Sequence, residues 1–162
     1  MSSWFRTYGF SDVHDRLVVG AVPLDASDVH LLAGLGVTRV LNLVEDQEYP
    51  PKARTDVTRA LKDAGIVEER RSSEDFGSLS PELLGDASQL VNTWLDEGQI
   101  VYIHCRAGWQ RSATVAGAVL ATRLDIGPDD ALRQIRARKP TAQPLPHQRE
   151  DLLAWWNARP PA

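Results

Sequence analysis

The chain has 162 residues, 43% of them hydrophobic, and a formal charge of −4 at pH 7. That length suits one domain with a full core, and the acidic balance argues against a bulk nucleic-acid binder. No run of about eighteen apolar residues offers a membrane span, Met1-Ser2-Ser3-Trp4-Phe5-Arg6 lacks the form of a signal peptide, and the one cysteine excludes an internal disulfide framework. The expectation is a soluble, cytoplasmic monomer in a reducing compartment, with neither nucleic acid nor membrane as a partner.

Taken in chain order, residues 17–20 and 38–44 read as strands. Ser27 is placed to cap a helix between them, and Gly34 or Gly36 to end it. Glu45-Asp46-Gln47-Glu48-Tyr49-Pro50-Pro51 is a polar, proline-marked loop. A helix over 52–64 closes at Gly65, and 66–70 forms a strand. Ser80-Pro81-Glu82 opens a helix with a capping hydroxyl, a first-turn proline and an acid facing the positive dipole end. That helix runs to about Glu97 and stops at Gly98. Later, Gly127-Pro128-Asp129-Asp130 opens a helix that Pro140 ends, and a tryptophan-bearing helix covers 146–157. Strands alternating with helices predict an α/β fold: one domain over residues 1–162, with a central, mostly parallel sheet flanked by helices.

Between these elements lies His104-Cys105-Arg106-Ala107-Gly108-Trp109-Gln110-Arg111-Ser112. The apolar run 99–103 brings the only cysteine to a strand end, and the small-residue segment from Ser112 to Leu120 follows as a helix. Strand, tight loop and helix N-terminus can aim backbone N–H groups at one anion. Arg111 adds a planar, two-pronged donor. An arginine at a helix N-terminus opposes the dipole, a placement that makes sense where an anion sits. The same donors stabilise a thiolate at Cys105. The residues therefore describe a phosphate cradle with a nucleophile at its floor.

This nine-residue stretch resembles the signature loop of the cysteine-dependent protein tyrosine phosphatase superfamily. The chain from about residue 17 to 150 is similar to small atypical dual-specificity members. Leu17 to Pro23 and Leu31 to Leu43 resemble their amino-terminal half, and Glu74-Asp75-Phe76-Gly77 resembles the loop carrying their general acid. The resemblance implies a protein-tyrosine or dual-specificity phosphatase without cofactor or metal. Its substrates would be phosphorylated proteins, or a small phosphate ester, and Cys105 would carry a phosphocysteine intermediate.

In that reading Cys105, Arg111, Asp75 and Ser112 are catalytic. Arg106, Ala107, Gly108, Trp109 and Gln110 bind phosphate or rim the pocket with Arg111, and Trp109 is positioned to stack on a substrate ring. Ser112 caps the helix and, by resemblance, hydrogen-bonds the leaving thiolate. His104 tunes the loop, and Asn42 at a strand end braces it. Glu74 is the rival to Asp75 as proton donor, with Glu45, Asp46 and Glu48 as further candidates. Glu74 also stands where the family's acid is preceded by proline.

Competing readings are a phosphate-binding pseudoenzyme, a phosphatase of non-protein esters and a sulfurtransferase. The sulfurtransferase loop is usually shorter than this one. The signature loop lacks the lysines of phosphoinositide-directed relatives, and the amino-terminal segment that deepens the pocket of strict tyrosine phosphatases is not recognisable. A shallow pocket is expected.

Overall fold

Three short apolar runs, Leu17–Gly20, Arg39–Asn42 and Val101–His104, are buried along almost their whole length. Parallel strands covered by helices on both faces read this way. In the computed structural model, which describes residues 1–160, they form the centre of a five-stranded sheet. The strands are β1 (Phe10–His14), β2 (Leu17–Gly20), β3 (Arg39–Asn42), β4 (Val67–Arg70) and β5 (Val101–His104), in the spatial order β1-β2-β5-β3-β4. Only β1 runs antiparallel, paired to β2.

The helices are α1 (Ser3–Tyr8), α2 (Ala26–Gly34), α3 (Ala53–Asp63), α4 (Pro81–Asp96), α5 (Arg111–Leu124), α6 (Pro128–Arg138) and α7 (Pro146–Ala158). Side chains alternate across the sheet and divide the core into two layers. Val101, Ile103 and Cys105 enter the layer built with α4 to α7, whereas Tyr102 enters the layer built with α1 to α3. The helix α5 is buried from Arg111 to Ala121, and its alanines let α4, α6 and α7 approach closely.

Most of the expected elements are present, with trimmed ends. The strand expected over 38–44 covers Arg39–Asn42, and the 45–51 loop contains a short 3₁₀ turn at Asp46–Glu48. Asp25, not Ser27, caps α2: its carboxylate accepts from the Asp28 backbone N–H at 2.9 Å, while Ser27 lies within the first turn. Gln110, not Ser112, occupies the cap position of α5, because the helix begins at Arg111, two residues earlier than a Ser112 cap would place it. Two elements had no counterpart in the sequence reading, α1 and β1.

The register places the functional loop. Gly20 and Asn42 both pair with His104, so the carboxyl ends of β2, β3 and β5 finish side by side. Ligands of open α/β sheets gather at such an edge. Close backbone packing keeps it compact: a Cβ on Gly20 would lie 2.5 Å from Phe10 Cβ and from the Tyr102 hydroxyl, and 2.6 Å from Gly9 O. Gly20→Ala should therefore lower the unfolding free energy by about 1–3 kcal/mol, the usual cost of an overpacked interior. Urea denaturation followed by tryptophan fluorescence measures this, and an unchanged midpoint would show that Phe10 and Tyr102 move aside freely.

Candidate active site

Cys105 follows β5 directly and is 3% exposed, with its Sγ 3.2 Å from Ser112 Oγ. The loop after it is pinned by its carbonyl groups. Arg106 O accepts from the Val22 amide at 3.1 Å and from Trp4 Nε1 at 2.7 Å, and Trp109 O accepts from the Gln143 amide at 2.7 Å. The amides of Arg106 to Ser112 donate to no group among the described residues. Outward carbonyls and unpaired amides are the backbone signature of an anion nest at a helix start. Gly108 adopts φ +79, and a Cβ there would come within 2.7 Å of three Gly20 backbone atoms, so only glycine lets the loop lie on β2.

Arg111 was expected to grip an anion, and its guanidinium is already held from several sides. It is 1% exposed, with Nη1 2.9 Å from Glu48 Oε2 and Nη2 2.6 Å from Glu48 Oε1. Nη1 also donates to Ser73 O at 2.8 Å, and Nη2 lies 3.1 Å from Asp75 Oδ1. Burial disfavours the Arg111 charge, but the Glu48 contact and the negative groups around it outweigh burial and raise its pKa. Burial likewise pushes the Glu48 carboxyl up, yet the bonds from Arg111 and the Glu45 amide hold it below the usual carboxylate range. A carboxylate kept ionised this way is no proton donor at neutral pH. Glu48, named above among the candidate acids, is instead the partner of Arg111. Of its neighbours, Asp46 pairs with Arg70 at 2.6 Å, and Glu45 accepts from Gln47.

Asp75 is a quarter exposed and lines a cleft of about 260 Å³ that has Cys105 among its walls. Glu74 is exposed and does not border that cleft. Beyond Asp75 the chain is fastened to α7. Phe76 O accepts from His147 Nε2 at 2.8 Å, Gly77 O from Gln148 Nε2 at 3.1 Å, and Asp151 Oδ2 accepts from the Leu79 amide at 2.9 Å. Ser73, before Asp75, donates its amide to Leu43 O at 3.0 Å.

The remaining expected residues divide. Arg106, Ala107, Trp109 and Gln110 line the cleft, with Trp109 40% exposed, while Gly108 is buried beneath it. Asn42 is buried next to the loop but does not bond to it. Its Oδ1 accepts from the Val44 amide at 2.9 Å and its Nδ2 donates to the Tyr49 hydroxyl and to Glu68, so it braces the 43–49 turn that carries Glu48. Three residues that line the cleft were not anticipated in that role: Phe76 beside Asp75, and the α1 pair Trp4 and Tyr8. The pair's four-residue spacing behind Ser2, a helix-capping residue type, was the available signal. Among the described residues no group of three or more His, Cys, Asp or Glu is placed to hold a metal ion.

A family model described as "Dual specificity phosphatase, catalytic domain" matches residues 22–158. The chain is 28% identical over 125 residues to rat "Phosphatidylglycerophosphatase and protein-tyrosine phosphatase 1", covering 76% of this chain and 63% of that protein. It is 28% identical over 130 residues to "Phosphatidylglycerophosphate phosphatase PTPMT1" of Arabidopsis thaliana, covering 79% and 36% of the two chains. The chain thus spans less than two thirds of the length of these relatives. Among solved structures, PTPMT1 in complex with PI(5)P superposes with TM-score 0.81 at 26% identity, over 91% of this chain and 94% of that one. Tk-PTP in its active form superposes with TM-score 0.82 at 25% identity, over 93% and 97%.

His104 gives the site a pH signature. It is fully buried, and its Nδ1–H donates to Cys105 O at 3.2 Å, which leaves Nε2 a buried acceptor without a partner. Burial pushes the imidazole down to about 4, against the ordinary 6.5 of an unfolded chain. Below pH 6.5 the unfolded chain therefore takes up a proton that the folded one refuses, and stability falls as pH drops toward 4. Between pH 7 and 4.5, wild type should lose about 2–3 kcal/mol more than His104→Asn, at 1.4 kcal/mol per pH unit. Urea unfolding of both proteins at the two pH values checks this, and parallel losses would mean that the folded imidazole titrates normally.

Proposed function

The chain belongs to the family of the dual specificity phosphatase catalytic domain, and we propose that it hydrolyses phosphate monoesters, phosphotyrosine in proteins foremost, through a phosphocysteine intermediate. The observation that carries this reading is the grouping at one cleft of Cys105 with Ser112 at 3.2 Å, the unpaired amides of the loop that follows it, and Asp75, itself 3.1 Å from Arg111. A reducing, cytoplasmic setting and a monomer complete the proposal.

In this reading the phosphoryl group lies on the amides of Arg106 to Ser112 and takes Nη2 of Arg111 from Asp75. Glu48 keeps the other edge of the guanidinium fork in place. The thiolate attacks phosphorus as the ester bond breaks, and the Asp75 carboxyl, turned from Arg111 toward the leaving oxygen, serves as the acid that gives it a proton. Charge spread over the equatorial oxygens in a loose transition state meets donors already in position. Water then attacks phosphorus, Asp75 accepts its proton, and the phosphorus–sulfur bond breaks with the electron pair returning to sulfur. The Ser112 hydroxyl, 3.2 Å from Sγ, donates to the departing thiolate.

A second substrate is supported by the relatives, whose names join protein-tyrosine phosphatase with phosphatidylglycerophosphatase. A glycerol phosphate headgroup presents the same dianion to the loop. Turnover of a phosphotyrosine peptide against phosphatidylglycerophosphate in mixed micelles decides between them.

Variants separate the roles. Cys105→Ser should abolish turnover of an aryl phosphate while keeping its binding, and vanadate, which imitates five-coordinate phosphorus, should inhibit the wild type. Asp75→Asn should lower kcat by about 10²–10⁴-fold, the usual worth of a positioned acid. Arg111→Lys should raise KM and lower kcat together, because lysine cannot make the forked contact. Steady-state kinetics measure all of these. Full turnover by Cys105→Ser would overturn the mechanism, and a large loss in Glu74→Gln with none in Asp75→Asn would move the acid to Glu74.

A further inference from the structure

The helix α1 lies outside residues 22–158, which the family model matches, and two of its side chains form a wall of the active-site cleft. Its attachment is firm. Ser2 donates its amide and its hydroxyl to the fully buried carboxylate of Asp28, at 2.8 and 2.5 Å, and Phe5 is completely buried. The adjoining face of the helix presents Trp4 and Tyr8, both partly buried against the same core layer as Phe5, with their ring centroids 4.4 Å apart. Tyr8 meets Trp109 of the signature loop edge to face at 5.5 Å. Trp4 donates Nε1–H to Arg106 O and carries the Arg106 guanidinium 5.1 Å over its ring. Phe76, 62% exposed at φ +63 beside the acid Asp75, completes the lining. Apart from Asp75 and Arg106, the space above Cys105 is bounded mainly by rings.

We propose that Trp4 and Tyr8, with Trp109, form a leaving-group subsite that selects a planar aryl ring over an alkyl oxygen; the proposal rests on Cys105 being the nucleophile. Once phosphate occupies the loop, the ester oxygen and whatever it carries must pass between these rings and Phe76. A phenyl ring is flat, rigid and long enough to meet them in offset or edge contacts, and it loses little conformational freedom in doing so. A phosphoserine or glycerol phosphate offers only a methylene at that depth, and its polar backbone or headgroup would be drawn against apolar walls. The sequence pointed to a shallow pocket; α1 supplies the missing depth from an element that ordinary patterning did not reveal.

Tyr8 is the cleaner probe, because it meets Trp4 and Trp109 through its ring, whereas Trp4 also bonds the loop backbone. The experiment compares wild type with Tyr8→Ala on phosphotyrosine and phosphoserine peptides of one sequence, reading the ratio of kcat/KM for the two. The ratio should fall about 3- to 10-fold, the worth of one lost aromatic contact. Tyr8→Phe should restore it. An unchanged ratio, whether both activities fall or neither does, would overturn the proposal, as would a loss confined to lipid phosphate in vesicles. Peptide binding to Cys105→Ser, with and without Tyr8→Ala, supplies an arm independent of turnover. If wild type turned over neither peptide while that binding preference depended on Tyr8, the catalytic reading would fail and the subsite would stand. Normal turnover with no dependence on Tyr8 would remove the subsite alone.

Discussion

A guanidinium 1% exposed has to be matched by charge at close range, or its removal from water would cost several kcal/mol. Glu48 provides that match with two bonds, at 2.9 and 2.6 Å, and Asp75 and the Ser73 carbonyl supplement it. Three separate pieces of chain meet through this one cation: the turn after β3, the acid loop after β4, and the signature loop where it becomes α5. A phosphate reaching the loop would therefore enter an ionic arrangement that already exists, exchanging one carboxylate for another anion. Folding, and not substrate, sets the guanidinium's orientation. Electrostatic preorganisation of this kind costs no rearrangement at the moment of reaction.

The sheet serves the same end. β5 is flanked by parallel neighbours on both sides, so the residue after His104 emerges at a height fixed by two registers at once. Gly20 and Gly108 then let the loop lie backbone against backbone on β2. Small residues in α5 let three helices close over the sulfur's side of the sheet, which keeps Cys105 within the larger core layer.

Much of this was legible in the sequence because local rules and the fold agreed. Pro81 and Gly98 bounded α4, the small-residue run marked α5, and the spacing from Cys105 to Arg111 described a loop wrapped around an oxyanion. Asp75 could be chosen over Glu74 only by resemblance, and the structure lines the cleft with Asp75. The parts that escaped are those set by distant pairing. Nothing local in Glu45 to Glu48 says which carboxylate will meet Arg111, 63 residues away. Asn42 has the right strand end, but its hydrogen bonds run to Val44, Tyr49 and Glu68, so its support of the loop passes through that turn. The six-residue α1 is too short to declare itself by periodicity, and it owes its place to Phe5 and to the Ser2–Asp28 contacts.

The segment around Asp75 carries one more consequence, for motion. Ser73 is tied to β3's end on one side, and Phe76, Gly77 and Leu79 are tied to α7 on the other. A stretch anchored so near its midpoint cannot travel as a free flap. Its freedom is reduced to the few torsions between Ser73 and Phe76, enough to turn a carboxylate from Arg111 toward the cleft but not to open the site widely. The entropy of ordering this loop is thus met when the chain folds and does not recur with each turnover. Events at α7, remote from the sulfur in sequence, would then reach it by changing the tension on three hydrogen bonds.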